Sequence, residues 1–281
     1  MKRFLTIFIT LFTLILIFAN YPIVLSSTMD AINLWKSKVF PYLFIMIILI
    51  DLLNSINITD FFKNTSHYII ISSLLSGSPS SSIIISNLYN QKIISKDYAN
   101  ISLMYTSFPN PLFLYTILIA IFKTKKTALL LIAILYMSNI LIYLFYKKKL
   151  PNVTYEKKQE KINIAKSIKK SLNTCFFVLG TIIFFLTITN IFIYTFKVPK
   201  VLNIFFKGIL EMTQGLNSLI NIEIFGKKYI AMFFLSFQGL AIHTQVKYIL
   251  DENGLDYNYY LKGRILASFL VLLCTIISNT I

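Results

Sequence analysis

Residues 74–90 read LLSGSPSSSIIISNLYN. An apolar run breaks at Gly77 and Pro79 among serines, then resumes as Ile83-Ile84-Ile85. Glycine weakens a helix and proline removes a backbone donor. A lipid-facing span has no use for such a break, and a water-exposed loop is not bracketed by ISSLL and IIIS. Non-helical backbone at membrane depth is tolerated only where protein or a watery cavity satisfies it. The stretch therefore predicts the tip of a re-entrant hairpin inside a membrane protein.

The rest of the chain agrees with a membrane setting. Of 281 residues, 56% are hydrophobic and only 14% are charged, against about 45–50% and about 25% in soluble domains. The mean hydropathy is +0.71. Runs such as FLTIFITLFTLILIFA (4–19) and CFFVLGTIIFFLTITNIFIY (175–194) are continuous. They approach or reach the roughly 20 residues of a helical span, whereas barrel strands alternate over about ten. The expectation is an all-α polytopic membrane protein with the lipid bilayer as a partner.

The net charge of +16 would suggest nucleic acid in a soluble protein. Here the lysines crowd short loops, where they record topology and meet anionic headgroups. No nucleic-acid partner is expected, and lysines beyond that role would attract an anionic solute. The two cysteines, Cys175 and Cys274, lie in apolar runs without metal-ligand neighbours, and read as small lipid- or helix-facing residues. MKRFL followed by a long apolar run resembles a signal peptide. The run is long for that, and no small-x-small site follows, so an uncleaved first span with a cytoplasmic N-terminus is expected.

Along the chain, residues 4–20 form a first span and 28–38 a short interfacial helix. Ser27 or Thr28 would cap that helix, with Trp35, Lys36 and Lys38 at headgroup level. Pro41 opens a span over 39–54, with Asp51 at its inner end. The knotted hairpin follows at 67–90, entered at an interfacial His67. An apolar stretch at 98–122 is broken by SFPNP (107–111), and 127–146 is a clean span. Residues 147–170 carry nine lysines against two glutamates and read as a cytoplasmic linker. Then come a span at 172–195, an interrupted segment at 201–225, a stretch at 229–250 interrupted at SFQGL, and a last span at 262–280.

If 67–90 crossed fully, the lysine-rich linker would fall outside, against the positive-inside rule. Entering and leaving on one side puts it inside. Lys123, Lys125 and Lys126 then fall outside, a smaller conflict. The same reasoning makes 201–225 a second re-entrant hairpin. Residues 39–146 and 172–281 then share one order of span, hairpin, broken span and span, in opposite orientation. Residues 1–38 precede them and the linker 147–171 joins them. The result is an inverted repeat with six full spans and two re-entrant hairpins. Interrupted segments at matching places in inverted halves point to a transporter's binding site.

Four breaks supply the candidate residues: Gly77, Ser78, Pro79 and Ser80; Asn110; Glu211, Thr213 and Gln214; and Gln238, Gly239 and His243. Half-helix N-termini attract anions and C-termini attract cations. The serines either contact solute or bond back to the preceding turn. Glu211 reads either as a cation, proton or substrate anchor or as an ion pair with Lys207 one turn away. His243 reads as a hydrogen-bonded packing residue or as a titrating group. No nucleophile–base pair, metal-ligand spacing or nucleotide loop occurs, so an enzyme, a metal site and a cofactor are not expected.

Three stretches carry a family resemblance: LSGSPSSSIIISNLYNQKIISKDYANISLMYTSFPNPLF (75–113), GILEMTQGLNSL (208–219), and LSFQGLAIHTQVKYIL (235–250) followed by YLKGRILASFL (260–270). They resemble the sporulation integral membrane protein YlbJ family, also called stage V sporulation protein V, over about residues 30–280. That family belongs to the nucleoside-recognition or Gate-domain superfamily and is similar in layout to concentrative nucleoside transporters. The resemblance implies a protein of the outer forespore membrane that moves dipicolinic acid, a planar dianion suited to serine hydroxyls and half-helix N-termini. The reading is thus a transporter of a small organic anion. Two alternatives stay open: a nucleoside-type solute, which would need a coupling ion, and a non-transporting structural or assembly protein of the spore envelope. A homo-oligomer, as in the nucleoside transporters, also stays open.

Overall fold

A computed structural model describes residues 2–55, 65–150 and 163–278. The described residues form fourteen α-helices and no strand. Helix α1 (Lys2–Ala19) leads to α2 (Tyr21–Leu34) and α3 (Phe40–Ser55). The first hairpin is α4 (Thr65–Ser76) and α5 (Ser80–Asn90), followed by α6 (Lys96–Leu103), α7 (Pro111–Phe122) and α8 (Lys125–Tyr146). The second half has α9 (Ile164–Thr195), α10 (Lys200–Leu210), α11 (Met212–Leu219), α12 (Lys227–Phe237), α13 (Gly239–Glu252) and α14 (Tyr257–Ile277). Residues 40–146 and 164–277 thus run in the same order: one helix, two interrupted pairs, one long helix.

Four helical stretches among the described residues are long and apolar enough to cross a membrane: Tyr21–Leu52, Lys125–Lys149, Ile164–Thr195 and Tyr257–Ile277. Arg3–Ala19 and Pro111–Phe122 are shorter apolar helices. Phe4, Phe18 and Phe145 are each more than three-quarters exposed. Large contiguous apolar exposure of this kind marks a lipid-facing surface.

The start differs from the sequence expectation. The short helix expected over 28–38 is part of a longer one from Tyr21, which continues through a π-helical turn, Trp35–Val39, into α3. The turn widens just before Pro41, which has no N–H to donate. Neither proposed cap acts as one: Thr28 Oγ1 donates back to the Val24 carbonyl (2.9 Å), and Ser27 Oγ accepts from Asn190 Nδ2 (2.9 Å). Trp35 Nε1 donates to the Cys175 carbonyl (3.0 Å), so this side chain leans on α9. Helix α9 also begins before residue 172, with the Asn163 side chain accepting from Lys166 N (3.0 Å) as its cap. The middle of the linker, 151–162, lies outside the described residues.

The packing relates the two halves. Helix α3 packs on α9 and α8 on α14; α5 packs on α13 and α11 on α7. One core cluster draws Leu118, Leu131, Leu216 and Phe234 together, and a second draws Tyr68, Ile84, Leu88 and Val246. Tyr68, early in α4, and Leu88, late in α5, share the second cluster, as the arms of a hairpin do. In α10 and α11, glycine permits the approach: a Cβ on Gly215 would lie 2.2 Å from Gly208 Cα.

Candidate functional site

The four breaks dock in two pairs. At the first hairpin tip, Ser78 N donates to the Phe108 carbonyl (2.7 Å) and Asn110 Nδ2 donates to the Leu75 carbonyl (2.9 Å). Gly77 has φ +73°, and a Cβ there would lie 2.7 Å from Asn110 N, so glycine is required twice over. At the second tip, Gly239 (φ +69°) lies against Met212 N and the Gly208 carbonyl. Each hairpin tip therefore rests on the broken helix of its own half.

The halves are joined by Gln238 and Arg264. Gln238 Nε2 donates to the Ser107 carbonyl (3.0 Å), and its Oε1 accepts from Tyr260 (3.1 Å). Arg264 is fully buried in α14. Its Nη1 donates to the carbonyls of Ser107 (2.7 Å) and Ser236 (3.3 Å). Its Nη2 donates to the Met104 carbonyl (3.4 Å) and Asn139 Oδ1 (2.8 Å). Burying a guanidinium costs several kcal/mol, and these acceptors offset it. Three of them are main-chain carbonyls at or just past the ends of α6 and α12, so one cation ties off a break in each half. Gly263 lets α14 approach: a Cβ there would be 2.3 Å from the Met104 carbonyl oxygen. Sequence reasoning missed Arg264, although a lone arginine in an apolar helix was the signal for it.

A cavity of about 100 Å³ lies between the docked breaks. Its polar lining includes Ser78, Asn110, Glu211, Thr213, Gln238 and Gln245, and Lys38 stands on its wall. Six of the eleven candidate residues therefore meet there: Ser78, Pro79, Asn110, Glu211, Thr213 and Gln238. Gly77 and Gly239 shape the two docking contacts. Ser80 faces a smaller void on the other side of α5. Gln214 Nε2 donates to Asn190 Oδ1 (3.1 Å). His243 sits among aromatic rings, with Nδ1 against Tyr257 Oη (2.6 Å) and Nε2 against the Phe237 carbonyl (2.8 Å). That is the packing reading of this histidine.

The half-helix N-termini are not equivalent. The Asn110 side chain accepts from Leu112 N (2.9 Å) and caps α7. The Glu211 carboxylate accepts from Thr213 N (3.2 Å) and Gln214 N (2.7 Å) and caps α11. Glu211 is buried, and among the described residues it forms no ion pair with Lys207. Its charge faces the positive end of its own helix. Helices α5 and α13 have no side-chain cap. Around the α5 start, the buried hydroxyls of Ser78, Ser80, Ser81 and Ser82 have no hydrogen-bond partner.

An all-helical chain with several apolar helices and polar breaks folded against one another is a multi-pass membrane protein. Over 301 aligned residues, 85% of this chain and 74% of its relative, it is 22% identical to the sporulation integral membrane protein YlbJ of Bacillus subtilis (strain 168). The chain is thus distantly similar to YlbJ, a protein of the family its motifs resemble. No protein-family model matches the chain, and no solved structure does.

Proposed function

We propose that the protein is a transporter of a small organic anion, with dipicolinate as the solute that the family resemblance suggests and the outer forespore membrane as its site. The observation that carries this reading is the central cavity, where interrupted helices of both halves bring Ser78, Asn110, Glu211 and Gln238 together. A scaffold gains nothing from broken helices at membrane depth, whereas a transporter uses them to bind solute. Ser78, on the cavity wall beside the uncapped start of α5 and with an unpartnered hydroxyl, supplies a donor for a carboxylate. At about 100 Å³ the cavity is below the range of about 300–1,000 Å³ usual for small-molecule sites. It corresponds to a nearly closed state, which opens when one hairpin-bearing unit moves against the rest.

In this reading the chain has six full spans and two re-entrant hairpins in an inverted repeat, and the linker face is cytoplasmic. Lys170 of α9 pairs with Asp51 late in α3 (2.9 Å), and Asn90 Nδ2 donates to Asn253 Oδ1 (2.5 Å). The ends of α3, α5 and α13 are thus gathered at the face where α9 emerges from the linker.

The test is dipicolinate flux into liposomes holding the purified protein in one orientation. Flux that falls at least tenfold with Gln238→Ala or Ser78→Ala, in variants that remain folded, supports transport through this cavity. Absence of flux in correctly oriented protein, or flux indifferent to both substitutions, overturns it.

A further inference from the structure

A second and larger cavity, about 530 Å³, opens at the linker face between α5, α9 and α13. It lies in the size range of small-molecule sites. Lys166, Lys169 and Lys170 line it from the first two turns of α9, against one acidic wall residue, Glu252, whose carboxylate accepts from Tyr248 Oη (2.6 Å). Lys170 Nζ bonds Asp51 (2.9 Å) and Asn87 Oδ1 (3.1 Å), which fixes one lysine at the back of the cavity. Ser86, on the same wall, is 2% exposed, and its hydroxyl has no hydrogen-bond partner. The rings of Phe177 and Tyr248, with centroids 4.5 Å apart, form an aromatic side.

The geometry points to an anion-binding site, which takes a small organic anion bearing carboxylate or phosphate oxygens on a flat or apolar body. Lysine ammoniums are compact point charges that bind oxyanions in many geometries. The Ser86 hydroxyl supplies a donor that the fold leaves unused. The aromatic wall accommodates a flat body. Helix α5 starts beside the central break and presents Ser86 and Asn87 to this cavity two turns later. Beside this cavity, sharing Ile83 and Lys170 with it, is a void of about 10 Å³ lined also by Ser80 and Asp51, room for about one water. The Asp51–Lys170 pair borders this void. The oxyanion recognised here has two sources, a free organic anion or a lipid headgroup. The buried Ser86 hydroxyl and the flat Phe177–Tyr248 side favour the free anion.

The test is equilibrium binding, independent of flux. The full-length protein in phosphatidylcholine nanodiscs is titrated calorimetrically with dipicolinate and, separately, with inorganic phosphate. Lys166→Gln/Lys169→Gln, Ser86→Ala and a control from the far face, Lys125→Gln/Lys126→Gln, are measured alongside, with unfolding midpoints to confirm folding. Expected are saturable binding, at least a tenfold loss in the 166/169 variant, a smaller loss for Ser86→Ala, and the control unchanged. No binding of either probe to the unsubstituted protein overturns the site, as does equal weakening in the control. Native mass spectrometry in phosphatidylglycerol nanodiscs separates the sources. Lipid retained by the unsubstituted protein and lost in the 166/169 variant, with no small anion bound, overturns the free-anion site.

Discussion

Gln238 Nε2 donates to the Ser107 carbonyl at 3.0 Å, across the interface between the two halves of the chain. The acceptor is a carbonyl that α6 no longer uses, and the donor sits where α12 gives way to α13. The same carbonyl accepts from Arg264 at 2.7 Å. One oxygen therefore holds a break of the first half against a break and a helix of the second. A polar wall around a cavity can be kept in the apolar interior because its groups satisfy one another.

Arg264 is the member with most acceptors. Arg264→Met leaves the Ser236 and Met104 carbonyls and Asn139 Oδ1 without this donor, at about 1–3 kcal/mol for each acceptor left unsatisfied, while the Ser107 carbonyl keeps Gln238. The unfolding midpoint in detergent is expected to fall by about 10 °C or more. Arg264→Lys recovers part of this, since an ammonium reaches fewer of the four acceptors. A midpoint unchanged in Arg264→Met counts against the tie-off role.

The glycines of the second hairpin are steric. A Cβ on Gly208 would come within 2.1 Å of the Phe234 ring, and one on Gly215 within 2.2 Å of Gly208 Cα. Gly215→Ala meets backbone, which cannot rotate away, and is expected to cost about 1–3 kcal/mol. Gly180→Ala, with nothing within 4 Å, is the matched control and is expected to be neutral or stabilising. Thermal unfolding of the two variants side by side checks the contrast.

Glu211 acts first as a helix cap. Glu211→Ala removes acceptors for Thr213 N and Gln214 N and is expected to lower stability by about 0.5–2 kcal/mol. Glu211→Gln keeps one acceptor oxygen and loses less. If flux falls with Glu211→Gln while stability holds, the charge has a role beyond capping; equal flux in Glu211→Gln and the unsubstituted protein assigns the residue to capping alone. Paired stability and flux measurements on both variants decide this.

The faces of the molecule are testable by labelling. Lys148, next to the linker, and Lys125, at the start of α8, sit at opposite ends of one 25-residue apolar helix, Lys125–Lys149. Lys148→Cys and Lys125→Cys are expected to react with a membrane-impermeant maleimide from opposite sides of sealed vesicles, with Lys148→Cys labelled from the cytoplasmic side. The unsubstituted protein, with Cys175 buried and Cys274 half-buried, serves as the background. Labelling of both from one side overturns the proposed topology.

Much of the site was legible because a break has a chemical signature. Gly77-Ser78-Pro79, Asn110 before Pro111, and Gln238-Gly239 are residues that end or start helices, and the structure interrupts helices at each. Asn110 also caps α7, as its residue type before a proline suggests. Arg264 was less legible: beside Lys262 in YLKGRILASFL it looks like part of a helix end, and the packing of Gly263 on Met104 shows it turned inward. The contact of Trp35 with a carbonyl 140 residues away has no signal in the local sequence.

The sequence by itself determined the all-helical membrane class and the positions of the breaks. Both follow from local chemistry: long apolar runs must pair their backbone internally, and clusters such as Gly77-Ser78-Pro79, Asn110-Pro111 and Gln238-Gly239 interrupt that pairing. Only the tertiary structure decided which break meets which, that Glu211 caps its own helix and does not pair with Lys207, and that two cavities lie along α5. These bring together residues as far apart in sequence as Met104 and Arg264. Close packing selects them, and no local periodicity records it.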